Sequence, residues 1–200
     1  MYKLKIVLDW LTQNSLVANP EKFQLIYPGS FNTNLSISIG KTKISSVDVV
    51  KLLGVKVDSK LSFIPYVTEL CKKSNQKLRA LRRERQFICQ DQAKLLVNSY
   101  VLSPFNYCPL VWMFCGKGGS NLIEKCHHRA LCAMTDKNFL SYNDALTDCK
   151  AVNFHARNLK LLLTEVFKST HGLGPRFMHG IFTTLQSKYM LRSGHTLALP

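Results

Sequence analysis

Residues 50–62, with the sequence VKLLGVKVDSKLS, decide how the rest of the chain is organised. Apolar and polar residues alternate around Leu53, Val55 and Val57, and this period of two predicts a β-strand. Gly54 falls inside the predicted strand, where the lack of a side chain lets another molecule come close to the backbone. A long helix is predicted to begin soon afterwards. We therefore interpret this stretch as the joint between a small sheet and a helical body.

The residues before this joint predict one helix and three short strands. Apolar residues recur with a helical period up to about Asn14. Residues 23–27, FQLIY, predict a strand, and residues 35–39 and 42–46 alternate on either side of a Gly-Lys pair. Two alternating runs joined by such a turn predict a β-hairpin.

Helices predominate after the joint. Pro65 suits the first turn of a helix, and the apolar residues that then share one helix face are Val67, Leu70, Cys71, Leu78 and Leu81. Further helices are predicted for residues 91–101, from residue 121 onward, and for residues 152–167. On the second of these, one face is shared by Leu122, Ile123, Cys126, Ala130 and Ala133. The predicted fold class is α+β, mainly α, with a small antiparallel sheet or hairpin followed by helical regions.

Two stretches between these helices carry predictions of their own. Residues 105–115, FNYCPLVWMFC, are aromatic and almost uncharged, so we expect them to be buried between helices. Residues 116–120, GKGGS, predict a flexible break because glycine disfavours regular structure. Ser141, followed three residues later by Asp144, predicts the capped start of a short helix.

The net charge of +15 over 200 residues predicts an anionic partner. Lys and Arg carry this charge, so it persists at neutral pH. Nucleic acid is the most common partner of such a protein, and a membrane surface is a less common one. The longest apolar run, residues 107–115, is about half of the ~20 residues that a membrane-spanning helix needs. No membrane span and no secretory signal are predicted.

The seven cysteines indicate a reducing compartment inside the cell. Their number is odd and their spacing follows no disulfide framework. Cys126, His127, His128 and Cys132 lie close together and could offer zinc ligands. However, the chain has no CxxC or HxxxH pair, and cysteines on an apolar helix face usually serve packing. No metal site is predicted.

Nothing in the sequence predicts a complete active site. Two-metal polymerase or nuclease chemistry needs paired carboxylates, and the chain has no adjacent acidic pair. Asp144 and Asp148 are four residues apart on a predicted helix, where two acids are more often solvated than catalytic. No glycine-rich phosphate loop of the Walker or Rossmann type is present.

The predicted helix over residues 66–85 carries the strongest functional signal. Its cations off the apolar face are Lys72, Lys73, Lys77, Arg79, Arg82 and Arg83. Its only acidic residues are Glu69 and Glu84, so the positive charge is unbalanced. Such a face neutralises phosphates with little sequence discrimination. The alternative is a solvated face that serves solubility, but the imbalance favours contact with nucleic acid.

Six blocks, in this order along the chain, resemble the C-terminal part of the reverse transcriptases of non-LTR, jockey-like retrotransposons. Together they cover nearly the whole chain, which makes the resemblance specific. The blocks are WLTQNSLVANPEKFQLIYPG (10–29), VKLLGVKVDSKLSF (50–63), LCKKSNQKLRAL (70–81), AKLLVNSYVLSPFNYCPLVWMFC (93–115), IEKCHHRAL (123–131) and RNLKLLLTEVFKSTHGLGPRFMHGIF (157–182).

The resemblance implies roles for particular residues. Lys22 corresponds to the motif D lysine of the palm, which would donate a proton to the leaving pyrophosphate, although Phe23 departs from the charge that some relatives carry next to it. Leu53, Gly54 and Val55 correspond to motif E, the primer grip, where a close backbone approach is needed. The basic helix would begin the thumb and place its Lys and Arg along the phosphates of the template-primer duplex.

The resemblance also implies a division of the chain and a limit on its activity. Residues 1–62 would be a palm part with a primer-grip-like hairpin, residues 63–116 a thumb-like region, and residues 117–200 a post-thumb helical region. The metal-binding aspartates of the family belong to motifs that this sequence lacks. The chain alone is therefore predicted to bind no Mg²⁺ and to make no DNA, its partners being an RNA or DNA template-primer duplex and the remainder of the enzyme.

Two other interpretations are left open by the sequence. One is a stand-alone, non-catalytic basic module that binds RNA or DNA. The other is a product that folds only in part, since a palm without its other elements exposes a sheet edge and an apolar face. For a retroelement protein the cytoplasm and nucleus are expected, and the sequence gives no oligomeric state.

Overall fold

Helices dominate the structure. A computed structural model describes residues 2–29, 35–39, 42–178, 181, 183–185 and 196–198. Three antiparallel strand pairs supply the sheet in this part of the chain, and the predicted fold class, α+β and mainly α, is confirmed. The chain divides into two compact units, residues 1–66 and 67–200. Its predicted division at residues 62 and 116 into three regions stays a prediction.

The first unit contains one helix and two hairpins. Helix α1 is Tyr2–Gln13, which confirms the end predicted near Asn14. The strands are β1 (Ser36–Ile39), β2 (Thr42–Ser45), β3 (Val49–Leu52) and β4 (Val55–Asp58). β1 pairs with β2 as predicted, although the Gly-Lys pair between them lies outside the described residues.

The stretch around Gly54 forms a hairpin turn, so the prediction of one continuous strand there is wrong. β3 and β4 are antiparallel, with Leu52 opposite Val55. Leu53 and Gly54 alone make the turn, with φ values of 46° and 89°. Two-residue turns of this hand need positive φ at both positions. The apolar alternation continues across the turn because Leu52 and Val55 lie opposite each other on either side of it, and this hid the turn from the sequence pattern.

The predicted strand at residues 23–27 is also wrong. Only Leu25 makes a bridge, parallel to Ser46. Gln24 instead accepts a hydrogen bond from the backbone of Lys51 through its side chain, at 3.1 Å. Backbone groups of the hairpin are thus satisfied by a side chain and a single bridge, and a regular ladder does not form.

Asp58 ties the end of β4 to the start of the next helix. Its carboxylate accepts from the Ser62 backbone (3.1 Å), the Ser62 hydroxyl (2.9 Å) and the Phe63 backbone (2.7 Å). Burial opposes ionisation of Asp58, but these hydrogen bonds outweigh it and hold the pKa of the carboxyl below its usual value. Helix α2, Ile64–Arg83, follows directly, with Pro65 in its first turn as predicted.

The second unit is built from helices. They are α3 (Gln90–Leu96), a π-helical segment (Val97–Leu102), α4 (Pro109–Trp112), α5 (Gly116–Thr135), α6 (Tyr142–Asp148) and α7 (Phe154–Thr170). Strands β5 (Thr183–Leu185) and β6 (Thr196–Ala198) form an antiparallel pair near the end of the chain. α5 packs against α3, the π-helical segment, α6 and α7 and is therefore central to this unit.

The apolar stripe predicted on α2 is confirmed. Its five residues, Val67, Leu70, Cys71, Leu78 and Leu81, are all buried. Between them lies Ser74, which is fully buried and donates its hydroxyl to the Val101 carbonyl at 3.1 Å. This bond satisfies a polar group in the core and fixes α2 to the π-helical segment.

Helix α5 begins earlier than predicted. Residues 116–120, expected to be a flexible break, form its first turns. Glycine costs about 1 kcal/mol per residue in a helix, and burial of the α5 face offsets this cost. Four of the five residues predicted to share that face are buried: Ile123, Cys126, Ala130 and Ala133. The fifth, Leu122, is 40% exposed.

The start of α6 is capped as its spacing predicts. The Ser141 hydroxyl accepts from the backbone of Asp144 at 3.1 Å.

The aromatic run at residues 105–115 is buried only in part. Phe105 and Trp112 are buried, and their rings meet edge to face. Tyr107, Val111 and Phe114 are exposed, which contradicts the prediction for them. α4 has a single turn, so it buries one side and exposes the other to solvent.

The cysteines also differ in burial. Cys71, Cys115 and Cys126 are buried, and Cys89 is exposed.

His127 of α5 contacts Tyr142 of α6 and the Phe154 ring of α7 in the core of the second unit. His127, which is 4% exposed, has its Nδ1 2.8 Å from the Tyr142 hydroxyl. Arg157 donates to the Asn106 side chain at 2.7 Å and to the Phe105 carbonyl at 3.0 Å. Burial, and secondarily the charge of Arg157, lower the pKa of His127 to about 4. Neutral His127 is therefore part of the core at neutral pH.

Replacing Asp58 tests whether its carboxylate stabilises the segment that follows β4. We expect Asp58→Ala to lower the free energy of unfolding by about 1–3 kcal/mol, because two backbone N–H groups and one hydroxyl lose a charged acceptor. Urea denaturation followed by circular dichroism measures the change. Asp48→Ala, at an exposed carboxylate, is the control and should cost less than about 0.5 kcal/mol. Equal losses would contradict the role given to Asp58.

His127 predicts a loss of stability in mild acid. Its pKa is about 4 in the folded chain and about 6.5 when unfolded, so the unfolded state binds the extra proton between these values. Stability is complete above pH 6.5 and falls as the pH drops toward 4. We expect the free energy of unfolding, measured by urea denaturation, to be about 2 kcal/mol lower at pH 5.0 than at pH 7.5. His127→Gln should remove most of this difference, and an unchanged difference would show that other groups cause it.

Candidate nucleic-acid interface

The six cations predicted on α2 separate into two sets of three. Lys73, Lys77 and Arg82 make contacts within the protein. Lys73 pairs with Glu69 at 2.7 Å. Lys77 donates to the Tyr100 carbonyl at 2.9 Å, and Arg82 donates to the Arg129 carbonyl at 3.3 Å. Lys77 and Arg82 thus tie α2 to neighbouring elements, whereas the Lys73 pair lies within α2.

Lys72, Arg79 and Arg83 are exposed and make no hydrogen bond or ion pair with the described residues. At 3.6 residues per turn they fall within about 40° of one another around the α2 axis. They extend over about 16 Å along the helix at 1.5 Å per residue. The direction they share lies about 150° from the centre of the buried stripe. We call these three residues the cationic face.

Few acidic residues lie near the cationic face to balance its charge. Of the two acids in this region, Glu69 is paired with Lys73. The other, Glu84, follows Arg83 at the end of the helix. Three free cations in a row thus produce a positive potential that attracts polyanions and is screened by salt.

The hairpin tip, Leu53 to Val55, lies in the first unit and has an unusual conformation. Leu53 is 83% exposed although it is apolar, and its φ of 46° is disfavoured for a residue with a branched side chain. Val55 is buried and anchors the tip. Strained, exposed positions of this kind are concentrated at binding sites. The resemblance implies a primer-grip hairpin at these residues; the structure has a hairpin there, and its role as a primer grip stays a prediction.

Lys22 lies in the same unit, at the end of a short 3₁₀ turn, Pro20–Lys22. Asn19 caps this turn by accepting from the Glu21 backbone at 3.0 Å. Lys22 is exposed. The predicted role of Lys22 as a proton donor stays a prediction.

The remaining candidate chemistry can be placed as well. Within the described ranges, no three His, Cys, Asp or Glu side chains are arranged to hold a metal ion. His127 and His128 belong to the aromatic packing around Tyr142. Asp148 is paired with Lys137 at 2.8 Å.

Among the helices described, none has the length and apolar character required to cross a bilayer.

A groove beside the C-terminal end of α2 was missed by the sequence analysis. Phe87 and Tyr100 form part of its lining, together with Arg83 of the cationic face. Phe87 is 76% exposed. The available signal was a phenylalanine directly after five charged or polar residues, outside any apolar stripe.

No family model matches the chain, and neither the curated proteins nor the solved structures compared with it gave a match. The resemblance to retrotransposon reverse transcriptases therefore depends on the six sequence blocks alone.

The turn at Leu53-Gly54 predicts opposite effects of two substitutions. Leu53→Asn should raise the free energy of unfolding by about 0.5–1 kcal/mol, because asparagine tolerates positive φ and Asn-Gly favours this turn. Gly54→Ala should lower it by about 1–2 kcal/mol, because alanine is disfavoured at φ 89°. Thermal denaturation compares both with the unchanged chain. If both substitutions lowered the stability equally, the turn conformation would be wrong.

Proposed function

We propose that this chain holds a nucleic-acid duplex, as the primer-grip and thumb part of a reverse transcriptase of the non-LTR, jockey-like retrotransposon type. The observation that carries the proposal is the cationic face of α2. Lys72, Arg79 and Arg83 lie on one side of a helix whose opposite side is buried, and none of them is neutralised within the described residues.

The arrangement of these cations fits phosphate binding better than a role in solubility. A solubility surface needs charge but no particular grouping. Here Lys77 and Arg82 flank the buried stripe and donate to neighbouring carbonyls, and Lys73 is paired within the helix. The three cations that are left share one direction. A row of free Lys and Arg binds a phosphate backbone by releasing counterions, whatever the base sequence.

The hairpin tip supports the polymerase over the stand-alone binding module. A module that only neutralises phosphates gains nothing from an exposed leucine held at positive φ. A primer grip gains a firm backbone edge and an apolar side chain at the point where the 3′ end of a strand must be held. The proposal gives Leu53 and Gly54 this role and gives the cationic face the duplex phosphates.

Two matched triple variants test the cationic face. Replacing Lys72, Arg79 and Arg83 by glutamine should weaken duplex binding on the order of a hundred-fold at low salt, because three phosphate contacts are lost. The plot of log affinity against log salt should become less steep by about 2 to 3. Fluorescence anisotropy with a labelled RNA–DNA duplex, over a series of salt concentrations, measures both quantities.

The control replaces Lys73, Lys77 and Arg82 by glutamine, which removes the same charge from the same helix. Because these side chains contact the protein, we expect a smaller loss of affinity and a larger loss of stability. Equal losses of affinity would mean that net charge alone governs binding. Absence of binding by the unchanged chain at low salt would remove the proposal.

A further inference from the structure

An apolar groove of about 470 Å³ lies next to the cationic face in the second unit. The C-terminal end of α2 forms one side, with Leu81, Arg83 and Glu84. The other sides come from Phe87, at the end of the 3₁₀ turn Arg85–Phe87, and from Leu96 and Tyr100. The volume falls within the usual range for sites that bind small organic groups.

Two aromatic rings in this groove are open to solvent. Phe87 is 76% exposed and Tyr100 is 51% exposed. Lys77 holds Tyr100 in place, since its Nζ donates to the Tyr100 carbonyl at 2.9 Å and lies 4.4 Å from the ring centroid. Exposed aromatic rings beside cations are the elements that proteins use to bind unpaired bases, which stack on the ring faces.

Tyr100 lies within the π-helical segment Val97–Leu102 and lines the groove from there. In this segment Val97, Val101 and Leu102 are buried, whereas Tyr100 points outward. π-helical segments occur frequently at functional sites. The buried bond from Ser74 to the Val101 carbonyl fixes the segment next to α2.

Charge identifies the class of occupant. Arg83 belongs both to the groove and to the cationic face, so a strand whose phosphates follow Lys72, Arg79 and Arg83 arrives at the groove. Glu84 lines the groove as well, and its carboxylate makes no hydrogen bond or ion pair with the described residues. A carboxylate in this position can accept from the exocyclic amine of an adenine, cytosine or guanine.

We propose that this groove binds an unpaired base of a single-stranded extension next to the duplex. The base stacks on Phe87 and Tyr100, and Arg83 contacts its phosphate. This inference rests on the proposed function, because the duplex on the cationic face brings the extension to the groove. Recognition then has two elements: the cationic face binds the phosphates of the duplex, and the groove binds a base of the extension.

The test compares three labelled probes on the whole chain by fluorescence anisotropy. The first is a blunt duplex, the second carries a short single-stranded extension, and the third carries an abasic extension with the same number of phosphates. We expect the unchanged chain to bind the second probe about ten-fold more tightly than the third, since base stacking on aromatic side chains contributes about that much.

Phe87→Leu is the critical variant, because leucine keeps an apolar side chain but has no aromatic face. We expect it to remove most of the preference for the base-carrying extension and to leave binding of the blunt duplex unchanged. Phe114→Leu is the matched control, since Phe114 is 66% exposed and lies outside the groove. Circular dichroism checks that both variants remain folded.

Each other outcome has a definite meaning. If the chain binds the blunt duplex but binds the base-carrying and the abasic extensions equally tightly, the groove proposal is wrong and the cationic face stands. If Phe87→Leu binds all probes like the unchanged chain, the base does not stack in this groove and the proposal is overturned. If no probe is bound at low salt, the proposed function fails and the groove proposal fails with it.

Discussion

The rotation of helix α2 about its own axis is the constraint on which the candidate interface depends. Burial of the stripe from Val67 to Leu81 fixes this rotation. If the helix rotated, its apolar side chains would become exposed, at a cost of about 1.5–3 kcal/mol of folding free energy for each. Ser74 adds directional control through its buried bond to the Val101 carbonyl. Once the stripe is buried, the positions of all six cations follow from helical geometry.

This constraint explains why the cations of one helix have different tasks. Lys77 and Arg82 lie near the edges of the stripe, where backbone carbonyls of neighbouring elements are within reach. Lys72, Arg79 and Arg83 lie too far around the helix to reach such acceptors. Charge that cannot be used inside the protein remains available outside it. The same helix thereby contributes to stability on its flanks and keeps a positive surface opposite its buried side.

The sequence predicted those features that depend on repeated patterns along one element. The α2 stripe, the β1–β2 hairpin and the buried face of α5 each repeat a simple period several times, and the structure confirms them. The predictions failed where one residue decides. The turn at Leu53-Gly54 does not interrupt the apolar alternation. The glycines at the start of α5 are helical because packing outweighs their low helix propensity. Which residues of α4 are exposed depends on how this single turn packs against its neighbours.

The candidate site was predictable in composition but not in arrangement. All six cations of α2 were named from the sequence, yet their division into engaged and free sets depends on acceptors that are distant along the chain, such as the carbonyl of Arg129. The groove was missed for the same reason. Phe87 and Tyr100 come together only because α3 and the π-helical segment fold back beside the end of α2. Patterns within one helix carry no information about such neighbours.

The π-helical segment Val97–Leu102 also has a consequence for how sequences of this kind can change. A π-helical turn holds one residue more than an α-helical turn of the same backbone path, so it behaves as a one-residue insertion absorbed by the helix. Deleting one residue there would restore regular α-helix and leave the residues after the segment in place, whereas side chains inside the segment, Tyr100 among them, would shift by about 100° around the axis. The chain could then keep its helix content while losing the alignment between Tyr100 and α2. A length change that looks harmless in a sequence would therefore disable the groove before it unfolds the protein.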